Sequence, residues 1–478
     1  MSGLLVCGTS SDAGKSLVVT GLCRAWARAG VDVVPFKSQN MSNNSMVCAD
    51  GSEIGRAQWL QAQAAQVEAS SLMNPVLLKP GSDRRAFVVV RGRPAGELQA
   101  GEYATGRRHL AEAAYAAFEE LAGSHHLVVC EGAGSPAEVN LRAGDYTNMG
   151  LARRFGLPTL VVADIDRGGA LAALVGTWEL LEPQDRVLMA GYVVNKFRGD
   201  EDVLAPGLAV VSERTGMPWL GTLPWLEDVW LDSEDALSTA RWVPGDGTTP
   251  SLRVAVVRFP RASNATDVDA LAAEPGVEVR VTTDTSVCRD ADLLVLPGSR
   301  STVSDLAWLR QRGLAGVVLE RVRAQRPVLG VCGGYEMLGT RIVDTVESGV
   351  GVVDGLGALP ATTVFGPDKV LGRPTGAWQG HDVAGYEIHH GVVTAEPSFP
   401  GGTRAGSTYG TIWHGTLECD GFRRALLTEV AHATGSPWRA APDARPFAAR
   451  REAMVDALAD AVTEHLDLDA LLDLARAR

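Results

Sequence analysis

Leu4–Ser16 reads LLVCGTSSDAGKS, and this stretch decides how the sequence around it folds. Leu4–Cys7 is a short apolar strand candidate that feeds directly into a loop holding Gly8, Gly14, Lys15 and Ser16. A helical pattern follows over Leu17–Ala29, with Val18, Leu22 and Trp26 near one face. Strand, glycine-bearing turn and helix in that order build a phosphate cradle. Backbone N–H groups and the helix N-terminus face the anion, a lysine reaches the terminal phosphates, and a hydroxyl ligates Mg²⁺. Gly14, Lys15 and Ser16 fill the last three positions of that pattern. Thr9 stands where its first glycine is expected, with Gly8 one residue earlier, so the loop is a variant.

Outward from the loop, β-branched runs at Val31–Phe36, Leu127–Cys130, Thr159–Ala163 and Val187–Val194 alternate with amphipathic stretches. Such alternation predicts βαβ units around a mostly parallel, buried sheet. A further helix is expected over Glu53–Val67. Val243–Ser251, VPGDGTTPS, lacks periodicity and reads as a linker. Strands resume at Arg253–Phe259, Glu278–Val281, Leu293–Leu296 and Pro327–Val331, which gives two α/β domains in series. From about Phe447 to Arg478 the helical spacing of Met454, Leu458 and Val462 predicts a tail that packs on the second domain.

The chain has 478 residues, enough for roughly two to four domains. Its 44 basic and 57 acidic residues give a net charge of −13, which argues against a nucleic-acid-binding surface. Hydrophobic residues at 46% and charged residues at 21% describe a globular protein rather than a disordered one. No apolar run approaches the ~20 residues of a membrane helix, and the N-terminus lacks the basic start of a secretory signal. Seven scattered cysteines without a Cys-x-x-Cys pair suit neither a disulfide framework nor a zinc ribbon. A cytoplasmic protein is expected. Its oligomeric state is not legible.

Four carboxylates are candidates beside the phosphate loop. Glu131 ends a strand, where open α/β sheets bind ligands, and either ligates Mg²⁺ or caps the next turn. Glu53, at a predicted helix start, is a second candidate ligand, and Asp164 and Asp166 in ADIDRGG are equally ambiguous. In the second half, Gly330-Val331-Cys332-Gly333-Gly334 is a nucleophile-elbow pattern with cysteine as the nucleophile. The helix N-terminus beyond it is expected to lower the Cys332 thiol pKa. His414, in GTIWHGTLE, is the candidate base.

The strings PFKSQNMSNNS (Pro35–Ser45), EIGRAQ, MNPVLLKP (Met73–Pro80), EGAGSPAEVNL (Glu131–Leu141), DIDRGG and NKFRGD (Asn195–Asp200) resemble the dethiobiotin-synthetase-like half of the cobyric acid synthase family. LPGSRSTVSDL (Leu296–Leu306), GVCGGYEMLG (Gly330–Gly339) and GYEIHHG (Gly385–Gly391) resemble its class I glutamine amidotransferase half. The resemblance implies residues 1–242 as an ATP- and Mg²⁺-dependent synthetase domain, 243–251 as a linker, and 252–478 as an amidotransferase domain with a helical tail. It implies ATP bound at Thr9, Gly14, Lys15, Ser16 and Lys37, and metal held by Ser16, Glu53 and Glu131. It implies glutamine as ammonia source through Cys332 and His414, with an oxyanion hole from backbone near Gly298–Ser299 and after Cys332. The implied acceptor is the corrinoid adenosylcobyrinic acid a,c-diamide, amidated at carboxylates b, d, e and g. The wider class places a glutamate two residues after the histidine, where this chain has Thr416. Either a Cys–His dyad suffices, the favoured expectation, or another carboxylate such as Glu418 orients the ring. His389 and His390 are competing histidines, expected to be structural. Cobyrinic acid a,c-diamide synthase is the alternative within the same architecture. A non-enzymatic P-loop nucleotide switch is the alternative outside it.

Overall fold

The computed structural model describes residues 2–82, 85–99, 107–227, 229, 241–242 and 251–476. Most of the expected linker, residues 243–250, therefore lies outside the described residues. The first sheet has six parallel strands, in spatial order Trp219–Pro224, Met189–Phe197, Thr159–Asp164, Gly3–Gly8, Leu127–Glu131 and Val33–Phe36. Successive residues of a strand point to opposite faces. Leu4 and Val6 accordingly join one core with Val18, Leu22 and Trp26 of helix Lys15–Arg28. Leu5 and Cys7 join the other, with Phe118 and Leu121 of helix Arg108–Ser124. Both faces are covered, which is why the strands read as continuous apolar runs.

The second sheet has seven strands, in the order Arg241–Trp242, Val277–Thr282, Leu252–Val257, Leu293–Leu296, Val328–Val331, Thr408–Thr411 and Gly402–Ala405. Its inner strands are parallel and its two edges antiparallel. A separate mixed sheet joins Gly351–Asp354, Arg341–Asp344, Thr362–Gly372 and Glu387–Thr394.

Two expectations are corrected. The window Glu53–Val67 opens as strand Glu53–Gly55, paired with Ser45–Val47, and the helix runs only over Arg56–Ala64. The carboxylate at Glu53 is tied to neighbouring lysines, so this residue caps nothing. The tail, helices Phe447–His465 and Leu468–Arg476, joins the second domain only at its start, where Phe447 enters that core and donates its N–H to Asp420, and beyond it packs on the first domain. Met454, Val455, Ala459, Val462, Leu466 and Leu471 share one core with Leu4 and Trp26. Gly21 lets the helices meet closely, since a Cβ there would lie 2.8 Å from Val462 Cγ1 and 2.9 Å from the Leu458 carbonyl oxygen. Arg24 pairs with Glu452 and Asp456 across the same seam. Helical spacing shows that the tail has an apolar face but carries no information about which surface matches it.

Candidate active sites

Between strand Gly3–Gly8 and helix Lys15–Arg28 the loop is fixed by backbone and side-chain bonds from neighbouring strands. The Thr9 N–H donates to Val162 O at 2.9 Å, so Thr9 anchors the loop and does not line the cavity. Gly14 has φ +103°, and a Cβ there would lie 1.9 Å from Asn195 Nδ2, so only glycine fits. Asn195 Nδ2 donates to Ala13 O at 3.0 Å, and Lys196 Nζ donates to Asp12 O and Asp164 Oδ2. Lys15 Nζ donates to Ser10 O at 3.0 Å.

Beside the loop, Glu131 is 1% exposed at the C-terminal end of its strand. It accepts from Ser16 Oγ at 2.8 Å, Lys37 Nζ at 2.9 Å and Gln61 Nε2 at 2.6 Å. Burial pushes its carboxyl up, but the Lys37 charge and the three hydrogen bonds outweigh that and hold it below the usual carboxylate range. Glu131, Ser16 and Lys37 edge a cavity of about 730 Å³ also lined by Gly14, Lys15, Asn40, Arg107 and Asn148. Glu53 is absent from it. Glu53 is fully buried in an ion cluster with Lys79 at 2.6 Å and Lys369, a residue of the second domain. Two ammonium groups neutralise that carboxylate and repel a divalent cation, so the expectation of Glu53 as a metal ligand is corrected. Asp164 is engaged by Lys196, and Asp166 lies 3.6 Å from Arg198.

In the second domain, strand Val328–Val331 turns at Cys332 into helix Gly333–Leu338. Cys332 has φ +49° and ψ −113°, the strained geometry of a nucleophile elbow. A Cβ at Gly334 would lie 2.0 Å from Leu296 O, so the turn packs backbone on backbone. The expected lowering of the thiol pKa is overturned. Burial pushes the Cys332 thiol well up, Glu336 adds to this, and the Gly333 N–H offsets only part.

His414 is 1% exposed, and its Nδ1 lies 2.6 Å from Asp267 Oδ2. A carboxylate only accepts, so Nδ1 carries the proton and Nε2 is the basic nitrogen. Nε2 is buried with no protein partner among the described residues. Asp267 Oδ1 accepts from Gly415 N at 2.7 Å, and the Tyr386 ring stacks on the imidazole at 5.4 Å. Asp267 thus orients the ring, against the expectation of a bare dyad. Glu418, the named alternative, instead pairs with Arg56 at 2.6 Å and Arg451 at 2.9 Å. His389 Nδ1 bonds Gly391 O and His390 Nδ1 bonds Gly366 O. A Cβ at Gly333 would lie 2.9 Å from Ser299 N, so the two backbone segments expected to form an oxyanion hole adjoin.

Residues 4–238 match the CobQ/CobB/MinD/ParA nucleotide binding domain family, and residues 253–425 match the CobB/CobQ-like glutamine amidotransferase domain family. A cobyric acid synthase of Cutibacterium acnes is 62% identical over 100% of both chains. One from Mycolicibacterium gilvum is 56% identical over 100% of this chain and 97% of its own. The chain belongs to the cobyric acid synthase family. A solved glutamine amidotransferase at 19% identity and TM-score 0.31, over 38% of this chain and 98% of its own, is too distant to add to that.

Two residues that hold the candidate site groups escaped sequence reasoning. Gln61 holds Glu131 from a helix whose sequence reads only as Ala- and Gln-rich packing. Asp267 lies 147 residues before His414, on a 3₁₀ turn, Ala265–Val268, that no motif marks. A search confined to the residues after the histidine cannot find it. The Ser16 hydroxyl and the Glu131 carboxylate are hard oxygen donors 2.8 Å apart at a phosphate loop, a donor set that fits Mg²⁺.

Proposed function

We propose that this chain is a glutamine-hydrolysing, ATP-driven ligase that amidates carboxylates b, d, e and g of adenosylcobyrinic acid a,c-diamide, giving adenosylcobyric acid. What supports the reading is one chain carrying both a cysteine elbow at Cys332 with a buried His414 bonded to Asp267, and Glu131 bonded to Ser16 and Lys37 beside the phosphate loop. At the first, His414 Nε2 takes the Cys332 proton and the sulfur attacks the glutamine side-chain amide carbon. The tetrahedral oxyanion is met by backbone N–H groups of Ser299 and Gly333. His414 returns the proton to the departing nitrogen, ammonia leaves, and water hydrolyses the glutamyl thioester. At the second, a corrinoid carboxylate oxygen attacks the γ-phosphorus of ATP, ADP leaves, and an acyl phosphate forms. Ammonia adds to its carbonyl carbon and inorganic phosphate departs. Lys15 and Lys37 balance phosphoryl charge while the loop N–H groups position the phosphates. Mg²⁺, when bound by Ser16 and Glu131, neutralises charge on the transferring phosphoryl group.

The relatives' name, cobyric acid synthase, supports this acceptor over the a,c-diamide synthase alternative. The amidotransferase domain match over residues 253–425 counts against a nucleotide switch. All seven cysteines are free, which suits work in a reducing cytoplasm. Among the described residues no helix is long and apolar enough to cross a membrane. The test is incubation with the a,c-diamide, ATP, Mg²⁺ and glutamine, followed by mass spectrometry of the corrinoid. Four exchanges of hydroxyl for amino are expected. A corrinoid of unchanged mass would overturn the reading.

A further inference from the structure

The elements that hold the glutaminase base are themselves held by the other domain. Asn264, which opens the turn bearing Asp267, accepts from Ser45 N at 2.8 Å through its Oδ1, and Ala265 N donates to Asn44 Oδ1 at 3.1 Å. Tyr386, stacked on His414, shares a small apolar cluster with Val47. Glu418 closes the 3₁₀ turn Thr416–Glu418 directly after His414 and Gly415, and takes Arg56 of the first domain. One continuous segment, residues 44–56, therefore supports the histidine from three sides.

Within that segment Arg56 is the strongest element. It is 2% exposed, and its ion pair with Glu418 is short. Burial alone would raise the Glu418 carboxyl, but Arg56 and Arg451 hold it down to about 2, so the carboxylate stays charged at any working pH. An ion pair seated on a buried arginine holds the turn that follows the base, because moving Glu418 away leaves the enclosed Arg56 charge unpaired by it. Arg56 also opens helix Arg56–Ala64, which carries Gln61 to Glu131 at the phosphate loop. The same nine-residue helix thus touches both sites.

We infer that Arg56, although it belongs to the synthetase domain, is a positioning residue for the glutaminase reaction: through Glu418 it sets the turn that aims His414 at Cys332. This rests on the assignment of Cys332 and His414 above. It acts on the reacting geometry and not on glutamine binding, so its loss should appear in kcat.

The test uses the full chain, with glutamate release from glutamine as readout and circular dichroism to establish folding. Arg56→Gln is expected to lower glutaminase kcat roughly ten- to a hundredfold while the glutamine KM stays within about threefold. Arg56→Lys, which keeps the charge, should recover part of the loss. Glu418→Gln, from the other side of the pair, should reproduce it and decides the matter if Arg56→Gln does not fold. The double variant Arg56→Gln/Glu418→Gln should be no worse than Glu418→Gln alone, since that single already removes the Arg56 pair along with the Arg451 pair. A folded Arg56→Gln or Glu418→Gln protein with unchanged kcat, a loss confined to KM, or strictly additive losses would each overturn the inference. Cys332→Ala run alongside separates the two levels: glutamate release by that variant would sink the site assignment, whatever Arg56 does.

Discussion

Asp267 and His414 make the sharpest demand at the scale of single residues. Asp267→Asn keeps the size of the side chain but can donate to the imidazole, which favours the wrong tautomer at Nε2. Glutaminase kcat should fall by roughly two to four orders of magnitude, with glutamine-independent steps intact. Cys332→Ala and His414→Ala should likewise abolish glutamate release, yet still amidate the corrinoid when supplied with ammonium at mildly alkaline pH. Lys15→Ala should lose amidation with either nitrogen source, because acyl phosphate formation precedes ammonia attack. Product mass with each nitrogen source reads both outcomes. Ammonia-supported amidation by Lys15→Ala at the wild-type rate would remove the phosphate loop from the mechanism.

Among elements, the tail helix Phe447–His465 offers the clearest test, because it sits in a core that its place in the chain does not suggest. Leu458 of this helix is fully buried, with its carbonyl against Gly21 of the nucleotide domain. Leu458→Ala should cost about 2–5 kcal/mol, and the loss should appear in the unfolding of the nucleotide domain. Denaturant unfolding followed by nucleotide binding and by glutaminase activity separately would locate it. Elements of the nucleotide domain were legible from sequence where local pattern suffices. Leu4–Cys7 and Leu127–Cys130 lie inside observed strands, since a strand buried on both faces must be apolar throughout. The elbow at Cys332 was legible because its flanking glycines permit the close backbone approach such a turn requires. What escaped depends on pairing across long separations. Asp267 meets His414, Gln61 meets Glu131 and Met454 meets Trp26 only once the chain has folded back on itself. Glu53 misled for the same reason: its partners Lys79 and Lys369 are remote in sequence.

For the whole molecule, the interface between domains carries an electrostatic seam in which buried Glu53 faces Lys79 and Lys369 and half-buried Glu418 faces Arg56 and Arg451. Glu53 is held well below the usual carboxylate range, burial working against Lys369 and Lys79. Glu418 is held at about 2 rather than its ordinary 4.5. A depressed carboxyl adds stability at pH above its unfolded value and loses it as pH falls through the folded one. The stabilisation these pairs give the domain interface should therefore shrink as pH falls below about 4.5 and be largely lost only near pH 2, where the folded Glu418 carboxyl itself protonates, and glutamine-dependent amidation should lose its coupling to glutaminase over that range. Glu418→Gln should flatten that dependence in a thermal-melt series from pH 7 to pH 3, and an unchanged series would exclude the pair as its origin. The tail has a consequence of a different kind. Its last helices complete the core of the domain that begins at the N-terminus, so the polypeptide is buckled end to end. If the gene were split at Val243–Ser251, the first product would lack part of its own interior and the second would carry that part as an exposed greasy arm. Neither would be content alone. Descendants of such a split would survive only as obligate partners, each ferrying a piece of the other.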